Sequence, residues 1–430
     1  MLLKYNLIAA AGAIIGMLNT ILTWKLFGAT QSADVWLLGL AVVSILGLLV
    51  LMGVEQFLVF YTGILTQQPN DAGGFAATSA MWALISGGLF ALGCFAAADH
   101  VISLFAGGLS TETRQSAASV LVLLLPQVAV APLLHVSRGV LNAHGKYGLA
   151  YLLTLVVPSA LMFALLFFTV SGGGDVLQLG WVAAAAAGLQ MGMCLVAVYK
   201  WCQPGNAMLT KEFRDFVVNS VTMRIGHSFH NFFVGLIINN ALSHQATGMI
   251  SIFQYAKRFA DGVFTVTIGP HVSILLARQA SAWSERNHVQ HRQNMKEYLR
   301  TVMPLFLAAS LVALLLMPLL LHTMSRNDVE PAIEAIQITY AIFTVWQGII
   351  ALEAVFVGVV TTARQSMIMW GVNALFIGSF YFYTNLIPQS SPVWYLVAAA
   401  ILAQMMSTGC FALSARALAK RRFIKAAGRA

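Results

Sequence analysis

The chain has 430 residues, of which 59% are hydrophobic and 9% charged, and its mean hydropathy is +0.79. A globular protein this apolar would not stay in solution, which sets aside the soluble enzyme and binding-protein classes. The formal net charge of +9 raises the question of a nucleic-acid partner, but the cations follow the loops of a membrane topology and imply none.

Apolar runs of about 20 residues, long enough to cross a hydrocarbon core of about 30 Å as helices, recur along the chain. In chain order the predicted spans are 5–27, 35–62, 75–97, 116–142, 148–171, 178–199, 213–241, 247–277, 298–322, 332–360, 366–386 and 393–415. The opening run MLLKYNLIAAAGAIIG leads straight into further spans and reads as an uncleaved first helix. The expected fold class is therefore all-α, a polytopic membrane protein of about twelve transmembrane helices. With the N-terminus inside, the inner segments hold Lys4, Lys146, Lys200, Lys211, Arg214, Arg278, Arg286, Arg292, Lys296, Arg300, Arg364 and the tail from Arg416 to Arg429, whereas the outer loops hold Arg114 and Arg326. The positive-inside rule then places both termini in the cytoplasm. Cys94, Cys194, Cys202 and Cys410 have no metal or redox spacing and read as small apolar residues.

Two halves echo each other. Span four ends LLHVSRGVLNAHGKYGLA and span ten ends LEAVFVGVVTTARQSMIM, setting Gly139 and Val140 against Gly358 and Val359. Spans one and two resemble spans seven and eight, each a helix pair with a short outer turn, FGATQSADVW or LSHQATGM. The basic linker WCQPGNAMLTKEFRD divides a half at 1–200 from a half at 213–417, and a basic tail follows at 418–430. An even number of spans per half gives parallel repeats.

An ionisable side chain at membrane depth costs about 2.5–3.5 kcal/mol on insertion scales, so each needs a partner or a wet cavity. Span eight carries Gln254, Arg258, Asp261 and Thr265 on one helical face. Arg258 and Lys257 both lie within reach of Asp261. Span seven repeats the device with Ser220, Arg224, His227 and Asn231, with His230 beside them. Span one has a milder stripe of Gly12, Gly16, Asn19 and Thr23, and Glu55, Arg138 and Glu353 lie toward the inner ends of their spans. A plain structural role is open to each: an intrahelical pair for Arg258 and Asp261, interhelical hydrogen bonds for His227 and His230, and headgroup contact for the arginines of 278–300. No phosphate loop, zinc-binding His-Glu-x-x-His helix or assembled Ser-His-Asp set is present, so neither an enzyme nor a cofactor is implied.

Three stretches carry a resemblance to a known family: FGATQSAD, VLNAHGKYGLA and YAKRFADGVFTVTIGPHVSILLARQAS. They are similar to the multidrug/oligosaccharidyl-lipid/polysaccharide exporter superfamily, in the branch that holds the lipid II flippase of peptidoglycan synthesis and the O-antigen-type flippases. The resemblance covers spans one to two, four, and seven to eight. It sets Asp34 at the family's outer aspartate, Arg258 at its cavity arginine and Asp261 at its acidic residue three positions on. Further cavity arginines of the lipid II flippase fall on Ala13, Asn19 and Leu51 here, and the aspartate of its Tyr-Ala-Asp-Arg segment on Lys257. The resemblance implies a flippase of the bacterial cytoplasmic membrane that carries a polyprenyl-pyrophosphate-linked saccharide by alternating access through a cationic cavity. Its expected substrate contacts are Arg258, Lys257, Arg224, Asp261, Gln254, Asn231, Asn19 and Asp34. Membrane lipids are its other partners, and sodium or a proton is the candidate coupling ion. The rival readings are a cation-coupled drug exporter of the same superfamily, which would carry unpaired acidic residues in its cavity, and a non-transporting scaffold.

Overall fold

The computed structural model describes residues 2–202, 211–324, 330–363, 365–388 and 391–421. Arg326, Arg364, most of the predicted linker (203–210) and the tail beyond residue 421 lie outside them. All elements among the described residues are helical: α1 (Leu2–Phe27), α2 (Gln31–Val50), α3 (Phe57–Gln67), α4 (Pro69–Ala96), α5 (Ala98–Phe105), α6 (Thr111–Ala143), α7 (Tyr147–Ser171), α8 (Val176–Tyr199), α9 (Lys211–Ser243), α10 (Met249–Thr267), α11 (Gly269–Ser284), α12 (His288–Met324), α13 (Glu330–Thr362), α14 (Ser366–Asn385) and α15 (Trp394–Ala419). Nine segments among the described residues are long and apolar enough to span a membrane, and α1 adds a shorter apolar stretch, Ala11–Phe27. The polar stripes of α9 and α10 keep those two helices below that bar. The arrangement is the expected polytopic all-α fold and is compatible with twelve spans.

Three details depart from the predicted span boundaries. Span two is broken: α2 stops at Val50, a 3₁₀ turn covers Leu51–Gly53, and α3 restarts at Phe57. No proline causes this. Backbone groups freed by such a break find no water in the bilayer core and must be served by protein. Here the Gln56 N–H donates to Ser220 Oγ at 3.1 Å, and His135 Nε2 lies 3.3 Å from the Glu55 carbonyl. Span eight also divides, with α10 ending at Thr267 and α11 starting at Gly269. Pro270 falls in the first turn of α11, where its missing N–H is tolerated and a continuous helix is not. The segment after span three contains α5, whose Ile102 and Phe105 are buried.

The described chain packs as two units, Met1–Ser251 and Ile252–Ala430. In the first, α6 is the central helix and contacts α2, α3, α4, α5, α7 and α8. In the second, α13 takes that place and contacts α11, α12, α14 and α15. The pairings run in parallel: α3 on α4 and α6 matches α11 on α12 and α13, and the α6–α7–α8 set matches α13–α14–α15. The breaks in spans two and eight fall at equivalent places in this scheme. So do two close approaches, since a Cβ on Gly139 of α6 would meet the Phe57 ring of α3, and one on Gly358 of α13 would meet the Gln279 side chain of α11.

Phe57 is fully buried and stacked between Tyr61 and Phe75, with ring centroids 5.2 Å and 5.8 Å away, so it has no room to yield. Overpacking of this kind costs about 1–3 kcal/mol. Gly139→Ala is therefore expected to lower the melting temperature in detergent. Gly88→Ala on α4, where nothing lies within 4 Å of the added carbon, is expected to leave it unchanged or raise it. Equal shifts for the two variants would show that α6 and α3 are not held at this distance.

Candidate functional site

In Met1–Ser251 the polar face of α9 meets the break in span two. Ser220 is fully buried and spent on the Gln56 amide. One turn on, Arg224 Nη1 lies 3.6 Å from Glu55 Oε1, with side chains 28% and 24% exposed. His135, on α6, has both Glu55 and Arg138 as electrostatic neighbours, together with Arg224. Glu55 pairs with Arg224 alone among the described residues, Arg138 has no carboxylate within ion-pair distance among them, and the Nε atoms of Arg138 and Arg224 are buried without a hydrogen-bond partner among them. The cluster is cationic. Sequence reasoning picked out Glu55, Arg138 and Arg224 singly and missed His135; the three-residue spacing of His135 and Arg138 on α6 was the available signal.

Two other predicted contacts are engaged by the protein itself, one within its helix and one across helices. Asn231 Nδ2 lies 2.9 Å from the His227 carbonyl and 3.0 Å from His227 Nε2. Asn19 Nδ2 donates to the Pro158 carbonyl at 2.9 Å, joining α1 to α7, while its Oδ1 is buried without a partner. Asp34 is committed more completely. It is 4% exposed and receives the Gly248 N–H at 2.6 Å, the Ser251 N–H at 2.8 Å and the Ser251 hydroxyl at 2.5 Å. Those amides lie at the start of α10, where a helix has orphan N–H groups and attracts negative charge, so Asp34 caps that helix from the first turn of α2. Gly248 has φ +93°, with the Ala29 carbonyl 2.8 Å from where a Cβ would stand, and no other residue fits there without strain.

In Ile252–Ala430 the stripe on α10 is present and its internal competition is resolved. Asp261 pairs with Lys257 rather than with Arg258, and its other oxygen takes the Gln347 amide of α13 at 3.0 Å. Four residues apart, Lys257 stands directly below Asp261 on the helix, and Gln347 closes the remaining side. Arg258 is half-buried and has no carboxylate within ion-pair distance among the described residues. Gln254, one turn before it, is 6% exposed. Gln347 was not foreseen, because a glutamine in an apolar span has no pattern of its own.

The 278–300 segment, which lies largely between predicted spans eight and nine, is the end of α11, a short turn and the start of α12. Arg278 and Glu297 bridge them at 3.1 Å. At the end of α6, His144 bonds the Tyr61 hydroxyl at 2.9 Å and stacks on Trp201 at 4.9 Å, and burial holds its imidazole below the usual histidine range. Among the described residues no cluster of His, Cys, Asp and Glu is suited to a metal.

Long apolar helices packed together, with arginine, lysine and histidine on two of the helices predicted to span the membrane, define a multi-pass membrane protein of the transporter kind. Solved structures share the fold. The lipid II flippase MurJ in an inward closed conformation aligns with TM-score 0.76 and 12% identity, over 96% of this chain and 87% of that one. An inward-facing multidrug resistance MATE transporter of the MOP superfamily aligns at 0.73 and 16%, over 96% and 99%. A MOP superfamily transporter from Pyrococcus furiosus, described as having a binding pocket of reverse polarity, aligns at 0.64 and 17%, over 96% and 96%. No curated protein matches the chain. The family described as Lipid II flippase MurJ matches residues 23–348, and the chain belongs to that family.

Proposed function

We propose that this protein flips a polyprenyl-pyrophosphate-linked saccharide, a cell-envelope polysaccharide or peptidoglycan precursor, across the bacterial cytoplasmic membrane, with both termini in the cytoplasm. The reading rests above all on Arg258, a half-buried cation on a helix predicted to span the membrane, whose nearest acid is taken by Lys257 and Gln347. A cation held this way is available to an anionic headgroup. Phosphate oxygens accept bidentate hydrogen bonds from guanidinium, and the lower dielectric of a membrane cavity strengthens them. Arg224, beside Glu55 at 3.6 Å, is the second phosphate contact, and Lys257 adds charge. Gln254, Asn231 and Asn19 offer hydrogen bonds to sugar. Asp261 positions the cationic stripe, and Asp34 holds the start of α10. Transport follows from rocking of two halves, 1–200 and 213–417, and the parallel helix pairings and the Gly139 and Gly358 contacts support that repeat. A proton or sodium ion supplies the drive.

The test is reconstitution into liposomes with a pyrophosphate-linked saccharide on an undecaprenyl tail, scoring its exposure on the opposite leaflet, beside uptake of a cationic dye. Protein-dependent movement of the saccharide and none of the dye is expected. Dye transport without saccharide movement would assign the chain to the drug-exporter class.

A further inference from the structure

Glu353, on α13, has no part in the site above, yet it is a carboxylate on a helix predicted to span the membrane. Three side chains from the middle of α15 converge on one of its oxygens: Gln404 Nε2 lies 2.8 Å from Oε2, Ser407 Oγ 2.9 Å and Thr408 Oγ1 2.8 Å. The helices packed against α13 carry His271 and Arg278 on α11, Tyr298 and Arg300 on α12, Tyr383 on α14, and Cys410 and Arg416 on α15. None of the cations among them pairs with Glu353 among the described residues. Its neighbours are neutral hydrogen-bonding groups.

The orientation of this cluster bears on which ion it serves. Trp346 Nε1 lies 3.1 Å from Gln404 Oε1, and an indole nitrogen can only donate. The Gln404 oxygen is therefore spoken for, and its amide nitrogen faces the carboxylate. A sodium ion needs a shell of oxygen lone pairs, whereas this carboxylate oxygen is met by an N–H₂ and two hydroxyls. A proton needs one free lone pair, and Oε1 is the oxygen that those three groups leave open.

We propose that Glu353 is a proton-binding site, gaining an O–H bond at Oε1 from a proton of one aqueous phase and releasing that proton to the other. The donors on Oε2 stabilise the anion, and protonation removes the cost of an unpaired charge at membrane depth, so both states have support. The consequence reaches the α10 stripe through one rigid element. Gln347, which holds Asp261, precedes Glu353 by six residues on α13, about 9 Å along the axis. Loosening or tightening the grip of α13 on α15 therefore acts on the helix that positions Asp261. As a drive for transport this rests on the flippase reading; as a titrating site it does not.

Glu353→Gln keeps the shape and the accepting oxygen while removing the titration. Infrared difference spectra of the reconstituted protein between acid and alkaline pH should show a protonated-carboxyl C=O band in the wild type that is lost in Glu353→Gln and retained, shifted, in Glu353→Asp. An identical band in wild type and Glu353→Gln would overturn the site, as would its displacement by sodium at constant pH. In liposomes the wild type should flip faster under an imposed pH gradient and Glu353→Gln should lose that response. A gradient response that survives in Glu353→Gln would overturn the coupling role. A band that behaves as expected in a protein that moves no lipid-linked saccharide would instead count against the flippase reading.

Discussion

Arg258→Gln is expected to abolish flipping of a pyrophosphate-linked saccharide while the protein remains folded and inserted. Hydrogen bonds to charged groups are worth about 1.5–3 kcal/mol each, and a guanidinium can make two in parallel. Losing both corresponds to a fall of at least about a hundredfold in transport, since about 1.4 kcal/mol is a factor of ten. Arg258→Lys keeps a point charge without the planar fork and should retain part of the rate. Folding should survive because Asp261 does not depend on Arg258: its oxygens are held by Lys257 and Gln347. By the same logic Lys257→Gln should be the more disruptive change for stability, since it strands a carboxylate. The measurement is saccharide flipping beside membrane protein level for all three variants. Unaltered flipping in Arg258→Gln, or better export of a cationic dye, would mean that the cation repels the true substrate.

The fold was legible because hydropathy runs report spans directly, and the four-residue spacing of the stripes on α9 and α10 needs nothing beyond the helical period. What escaped was decided across helices. The break in span two at Leu51–Gly53 has no proline to announce it, and the groups that make it tolerable, Ser220 and His135, are about 160 and 80 residues away in sequence. The break in span eight has a local signal in Gly269-Pro270, but that pair sits inside a long apolar run that reads as one span. Both Lys257 and Arg258 were within reach of Asp261, and the i,i+4 position with the distant Gln347 chose the lysine. Glu353 could be placed in its span, but its clasp is built from α15, more than 50 residues on, and no local pattern predicts it.

The resemblance placed Asp34 among the substrate contacts, and the bonds it makes give a sharp alternative. Asp34→Ala removes an acceptor that takes two backbone amides and a hydroxyl at 4% exposure. Loss of a helix N-cap costs about 0.5–2 kcal/mol, and each buried donor left unsatisfied adds about 1–3 kcal/mol. Water reaching the opened end of α10 recovers some of this, so the expected destabilisation is roughly 2–4 kcal/mol. The positive φ of Gly248, with the Ala29 carbonyl 2.8 Å from where a Cβ would stand, leaves that turn little freedom to find other partners. Asp34→Asn keeps one accepting oxygen but loses the charge that the helix start favours, and should fall between wild type and alanine. Melting temperature in detergent and saccharide flipping should then decline together across the series Asp, Asn, Ala. A wild-type melting temperature in Asp34→Asn combined with complete loss of flipping would show that the carboxylate acts on substrate or ion rather than as the cap of α10.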